Sequence, residues 1–153
     1  IADEEGNRDY DANLEYEKAW LSKYILPYMK YNKISDGSYS PETDTEEAIH
    51  IPVTIYLNDG STFSTFLGSC MDIIYDVNGA GAPNTIGQDQ YMYTFCFSNN
   101  GPEVGSQGFH TYLYNRVTSR QNALERCKTQ PAYCSNLLRY DNWDFKDDYP
   151  YKL

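Results

Sequence analysis

The stretch His50-Ile51-Pro52-Val53-Thr54-Ile55-Tyr56-Leu57-Asn58-Asp59-Gly60-Ser61-Thr62-Phe63-Ser64-Thr65-Phe66-Leu67 decides the fold. Ile51, Val53, Ile55 and Leu57 alternate with His50, Pro52, Thr54 and Tyr56, the period of a strand with one face buried. Asn58-Asp59-Gly60 supplies turn chemistry, and Ser61 to Leu67 returns with Phe63 and Phe66 among its apolar residues. Pro52 suits a strand start or an edge. The stretch therefore predicts an antiparallel hairpin.

Further along the chain, Met71, Ile73, Tyr75 and Val77 alternate, as do Tyr91, Tyr93, Phe95 and Phe97. Between them lies a Gly- and Asn-rich loop, Asn78 to Gln90. Asn99 to Gly108 reads as a turn-rich loop, and Phe109 to Tyr114 as a short strand. Ser119 is placed to cap a helix running to Lys128. Earlier in the chain, Tyr10, Leu14, Leu21, Ile25 and Tyr28 share a helical stripe, with Trp20 and Tyr24 beside it and Glu17 interrupting it. This spacing predicts a helix from about Asp9 to about Tyr31, with Pro27 near its end. Residues 32–48 read as a polar loop. The tail carries Leu137, Leu138, Trp143, Phe145 and Tyr149 and is too apolar to float free. One long helix, then strands, then a small helical tail is an α+β order, a helix laid on an antiparallel sheet in a single domain over residues 1–153.

Composition excludes several partners. The 153 residues carry 22 acidic and 12 basic side chains, a formal charge of −10, which disfavours nucleic acid and anionic membranes. Sixteen tyrosines against six Phe and two Trp suit surfaces that make contacts as well as a thin core. Cys70, Cys96, Cys127 and Cys134 allow three full pairings, and none lies in a CxxC, so the expectation is two disulfides in an oxidising compartment. No stretch is apolar for long enough to span a bilayer.

The search for catalysis is negative. His50 and His110 lie at a strand start and after a Gly-rich loop, without the partners of a catalytic base. There is no GxSxG elbow, P-loop or GxGxxG. The segment Asp76-Val77-Asn78-Gly79-Ala80-Gly81-Ala82-Pro83-Asn84-Thr85-Ile86-Gly87-Gln88-Asp89 is the one with chemical content. Asp76, Asn78 and Asp89 supply oxygens of the kind calcium takes, and the glycines allow carbonyls to turn inward. The alternative is a tight loop closed by Asx turns with no metal.

The same segment, DVNGAGAPNTIGQDQYMYTF, resembles a stretch of type IV pilin-like and type II secretion pseudopilin-like proteins. The tail CKTQPAYCSNLLRYDNWDFKDDYP resembles their C-terminal pattern of a Cys pair, a short apolar run, Asp-Gly-Trp and Asp-Tyr-Pro. Cys127, Cys134, Asp141, Trp143, Asp148, Tyr149 and Pro150 match in order, with Asn142 in place of the glycine. The resemblance implies a pilin-like fold whose long N-terminal helix packs on the sheet above a disulfide-pinned tail. It implies a Cys127–Cys134 bridge, leaving Cys70 and Cys96 as a second bridge or as buried thiols. It also implies that a transmembrane half of the helix and a cleavage site precede this chain in a longer protein.

The function it implies is that of a structural subunit of a pilus or secretion filament at the bacterial cell envelope. Its partners would be other pilin-like subunits, the prepilin peptidase and the inner-membrane assembly machinery. No cofactor beyond a calcium ion and no catalysis is expected. The alternative is a secreted or surface module that binds glycan or peptide through Tyr and Trp faces. A hydrolase using paired acids ranks last.

Overall fold

A computed structural model describes residues 10–36, 53–67, 70–97 and 106–151. Six strands form one antiparallel sheet in chain order: β1 (Tyr31–Asp36), β2 (Val53–Leu57), β3 (Thr62–Leu67), β4 (Met71–Asp76), β5 (Gln90–Cys96) and β6 (Gly108–Thr111). Three short helices accompany it: α1 (Tyr10–Tyr24), α2 (Arg120–Thr129) and α3 (Cys134–Tyr140).

The hairpin alternation is realised between β2 and β3, where Val53 faces Thr65 and Ile55 faces Phe63. Asp59 closes the turn by accepting from the backbone N–H and the hydroxyl of Ser61, which hold its carboxyl below the usual range. Gly60 has φ of +93°, a conformation that favours glycine. A second turn packs against it, and a Cβ on Gly79 would lie 2.5 Å from the Gly60 carbonyl oxygen. Strands β4 and β5 then pair without a bulge from Met71–Phe95 to Asp76–Gln90.

The expected pilin-like architecture is corrected. The first helix has 15 residues and ends at Tyr24, and what folds is a six-stranded antiparallel sheet with short helices. Pro27 lies in a 3-10 turn, Leu26–Tyr28, and the chain is extended by Met29. Tyr28, expected on the buried stripe, is 87% exposed. Glu17, expected as an interruption, is buried beside Leu21. The segment read as a loop after residue 31 begins with β1, whose residues are nearly all exposed. A polar edge strand lacks the alternation that marks a half-buried one, because neither of its faces is covered. Residues 37–48, His50 to Pro52 and most of the Asn99–Gly108 loop lie outside the described residues. The strand read over Phe109–Tyr114 is shorter and leads into a 3-10 turn at Tyr114–Arg116.

Two cores result. One joins α1 to the sheet through Leu21, Val53, Ile55, Met71 and Ile73. The other lies among the C-terminal helices, around Ala123, Leu124, Tyr133 and Leu137. Ser119 caps α2 by accepting from the Asn122 N–H at 3.1 Å. Buried polar residues tie α3 to the sheet edge: Ser135 donates to the Met92 carbonyl, and Asn136 accepts from Thr111 and donates to the Tyr112 carbonyl. These bonds satisfy groups whose burial would otherwise be costly.

The disulfides are Cys70–Cys96 and Cys127–Cys134. The first sits one step beyond the Met71–Phe95 pair, where the register brings its Cα atoms to 4.3 Å. It closes a separation of 26 residues, the second only 7. On chain entropy the first contributes about 3.5 kcal/mol and the second about 2.5 kcal/mol. Replacing both Cys70 and Cys96 with Ser should therefore lower stability in urea by more than the corresponding change at Cys127 and Cys134. An equal loss would contradict this assignment.

Candidate binding face

The alternation of β4 and β5 places Ile73, Tyr93, Phe95 and Met71 on one face of the sheet. Helix α1 lies over part of this face, where Trp20 meets Phe95 and Phe97 with ring centroids 5.6 and 5.3 Å apart. Toward β6 the same face is open around Phe109, while Thr111 beside Tyr93 is buried under Asn136 of α3. Phe109 stacks on Tyr93 at 5.4 Å with planes 21° apart, and Trp143 meets Tyr93 at 6.2 Å. Phe145 packs against Tyr91 and Tyr149. Phe109 is 57% exposed and Trp143 54%, so these large rings present area to solvent instead of filling a core. Between α1 and the end of β5 lies an open groove of about 720 Å³, lined by Tyr16, Trp20, Tyr24, Phe95 and Phe97 among others.

The position of Trp143 follows from how α3 ends. Asn142 donates to the Arg139 carbonyl and Trp143 to that of Leu138. This is a Schellman ending, which requires a left-handed residue just after the helix. Asn142 supplies it with φ of +56°, and an Asn tolerates that conformation better than most residues. Trp143 is itself left-handed, with φ of +64°. A bulky residue held there stores strain of about 1–2 kcal/mol.

Beyond Trp143 the chain lacks regular structure until Tyr151, and side chains hold it down. Arg120 of α2 grips Asp141 through Nε and Nη2 at 2.6 and 2.9 Å, and Asp148 through Nη1 and Nη2 at 2.9 and 2.7 Å. The Asp148 and Asp141 bonds raise the guanidinium pKa further, and Arg120 holds the Asp148 carboxyl below its ordinary range. Tyr149 donates to the Gly87 carbonyl and Tyr151 to that of Cys127.

The loop residues singled out as ligands all belong to one turn system. Asp89 accepts from the Asn84 and Thr85 N–H groups at 2.8 and 2.7 Å. Burial acts to raise its pKa, but these bonds and the Asn78 side chain outweigh it and hold the carboxyl low. Asp76 accepts from the Asn78 N–H and from Gln90 Nε2, and Asn78 donates to the Ala82 carbonyl. The oxygens meet N–H donors, the arrangement of a loop stitched shut. Among the described residues no group of three or more His, Cys, Asp or Glu is placed to hold a metal ion.

Two carboxyls are displaced upward, both chiefly by burial: Glu17 to about 7, and Asp72 to about 6 with the Thr94 hydroxyl opposing. Glu17 sits over Thr65, which pairs with Ile73, whereas Asp72 points to the other face. They do not form the carboxyl pair of a glycosidase. His110 lies 3.3 Å from the Ser106 hydroxyl and stacks on Tyr114, with no carboxylate bonded to its ring among the described residues. His50 lies outside them.

A family model described as a family of unknown function, DUF6613, matches residues 1–153. The chain belongs to that family. No curated protein and no solved structure matches it. What this member of DUF6613 presents is therefore read from its own surface. Its two disulfides point to an oxidising, extracytoplasmic environment, and no helix among the described residues is long and apolar enough to cross a membrane.

Sequence reading named Trp143, Asp141 and Asp148 through the tail pattern but missed Arg120, which no local signal marks, and Phe109 as a partner of Tyr93. Replacing Asp141, which is buried, with Ala should lower the melting temperature by on the order of 5 °C. Asp148→Asn, at the exposed end, should cost less. The folded Asp148 carboxyl has a depressed pKa, so its contribution is present above about pH 4 and is lost as pH falls through the folded value. Limited proteolysis of the tail as pH is lowered from 6 to 3 should show earlier cleavage in the wild type, and little further change in Asp148→Asn.

Proposed function

We propose that this chain is an extracytoplasmic binding module that holds neutral carbohydrate against the face built by Tyr93, Phe109 and Trp143. The observation that carries the reading is Trp143, a large ring kept in solvent on a strained, left-handed backbone whose surroundings are fastened by Arg120. Strain held in place by neighbouring bonds is characteristic of functional positions. Sugar rings present C–H faces that lie flat on aromatic rings, and the nearly parallel pair Tyr93 and Phe109 offers such a floor. Exposed Asn142 and Asp144 flank Trp143 with polar groups for hydroxyls. A charge of −10 repels anionic polymers, which favours a neutral glycan. The reading assigns the chain no reaction and requires no cofactor.

A filament subunit of the pilin or pseudopilin type, at the bacterial envelope, is the second reading. Its support is the tail, where the Cys pair, the turn at Asn142 and the Asp148–Tyr149 pair follow the pattern that carried the resemblance. Against it, α1 is only 15 residues long and ends at Tyr24 where that resemblance implied a long helix packed on the sheet, and so the binding reading is preferred.

Screening the full chain against an array of neutral and anionic glycans tests the proposal. Binding to neutral glycans should appear, and Trp143→Ala should weaken it at least ~10-fold, the loss of one well-used aromatic contact. Absence of glycan binding, or affinity indifferent to Trp143→Ala and Phe109→Ala, would overturn it.

A further inference from the structure

Helix α1 is fastened to the sheet by apolar contacts and one anomalous polar group. Leu21 and Leu26 bury against Val53, Ile55, Met71 and Ile73. In their midst lies Glu17, 2% exposed, whose Oε1 has no hydrogen-bond partner among the described residues. A carboxylate in that position is expensive, because ionised oxygens demand donors and an apolar contact offers few.

Burial decides which form the site favours. From β3 the Thr65 hydroxyl and the Leu67 backbone bond the carboxyl and favour its ionised form, but the loss of water outweighs them and raises its pKa. Thr65 also lies 3.4 Å from the Val53 carbonyl, its acceptor. A neutral Glu17 can donate its proton to Thr65 Oγ1 while Thr65 donates onward to Val53, and every hydrogen then has an acceptor. An ionised Glu17 needs the Thr65 proton for itself and leaves the Val53 carbonyl without it. The face of β2 offers Val53 and Ile55, and that of β4 Met71 and Ile73, none of them charged. On α1 itself the neighbouring charges are Glu15 and Lys18, and Lys18 is engaged by Glu15 at 3.3 Å and by Asp36 of β1 at 2.8 Å. No cation is therefore turned toward Glu17 among these elements.

We infer that Glu17 is a proton-operated latch: its neutral form docks α1 on the sheet, and its ionised form loosens the helix. The consequence extends past the helix, because Tyr16, Trp20 and Tyr24 of α1 form one wall of the groove facing Phe95 and Phe97. Loosening α1 dismantles that wall, whereas the Trp143 platform, fastened by Arg120, stays in place. The inference is independent of the glycan reading.

The sign follows from the buried carboxyl. Its folded pKa, about 7, lies above the unfolded value near 4.5, so the docked helix is favoured below the unfolded value and loses that advantage as pH rises through the folded one. Hydrogen exchange of the α1 amides, corrected for the intrinsic pH dependence of exchange, is the direct readout. Protection should fall between pH 5 and pH 8.5 by roughly two orders of magnitude at most, the linkage limit for this displacement. In Glu17→Gln the dependence should flatten. Fluorescence of Trp20 in a Trp143→Phe background gives a second measurement. It should report solvent entry with a midpoint near pH 7 that disappears in Glu17→Gln. Should Glu17→Gln not fold, Glu17→Leu serves the same purpose by removing the ionisable group. Protection of α1 that does not change with pH, or a pH response that survives removal of the carboxyl, would overturn the inference.

Discussion

The guanidinium of Arg120 is the point on which the C-terminal half depends. It satisfies Asp141 and Asp148 together, four bonds between 2.6 and 2.9 Å. Without it, two carboxylates that close would repel each other, and the segment after α3 would have no fixed course. A lysine in its place could not reproduce the fork, since a single ammonium cannot grip two carboxylates in parallel. With the tail held, Phe145 and Tyr149 come to rest near Tyr91, and Tyr149 reaches the Gly87 carbonyl. The loop stitched by Asp76 and Asp89 is thus clamped from outside by the tail, which gives its internal hydrogen bonds a structural purpose.

The two ends of the sheet are secured by different physics. At the β5–β6 edge, α3 is bound by directional hydrogen bonds from Ser135 and Asn136 and by a buried disulfide behind it. Such bonds fix geometry, because a buried polar group left unmade costs more than one made gains. At the other end α1 is held by apolar burial, which is strong but not directional, and by Glu17, whose preference depends on its proton. The contrast separates a rigid portion, which carries Trp143, from a portion whose attachment responds to its surroundings.

Much of the sheet was legible because the apolar residues of Val53 to Leu57, of the run from Met71 and of the run to Phe97 alternate in sequence. The return strand Thr62 to Leu67 was legible from the turn before it, since its buried residues, Thr62 and Thr65, do not alternate. The N-cap at Ser119 was legible because capping is a local bargain between a hydroxyl and the Asn122 N–H. The edge strand from Tyr31 was not, since a strand without a covered face has no period to read. The end of α1 was misjudged for a related reason: Ile25 and Tyr28 continue the stripe arithmetically, while Pro27 turns the chain away. In the site, Trp143 and the acids of the tail could be picked out in sequence, but Arg120 could not. An ion pair spanning 21 residues from Asp141 leaves no trace in spacing.

The shortness of α1 is what leaves part of the apolar sheet face open. A helix of 15 residues is about 22 Å long at 1.5 Å per residue, and six strands at roughly 4.8 Å make a sheet of similar width. Helix α1 contacts β2 and β3, and its Trp20 reaches Phe95 of β5. A helix continued to Tyr31, as the stripe suggested, would add about 10 Å and compete for the open apolar face. The chain instead turns at Leu26 and returns as β1, and beyond the core under α1 Tyr93 stacks on Phe109 and meets Trp143 of the tail. The alternation that builds a core under α1 therefore builds an exposed platform where α1 stops. Apolar side chains on a sheet face must be covered or used, and here a turn containing Pro27 decides where covering ends.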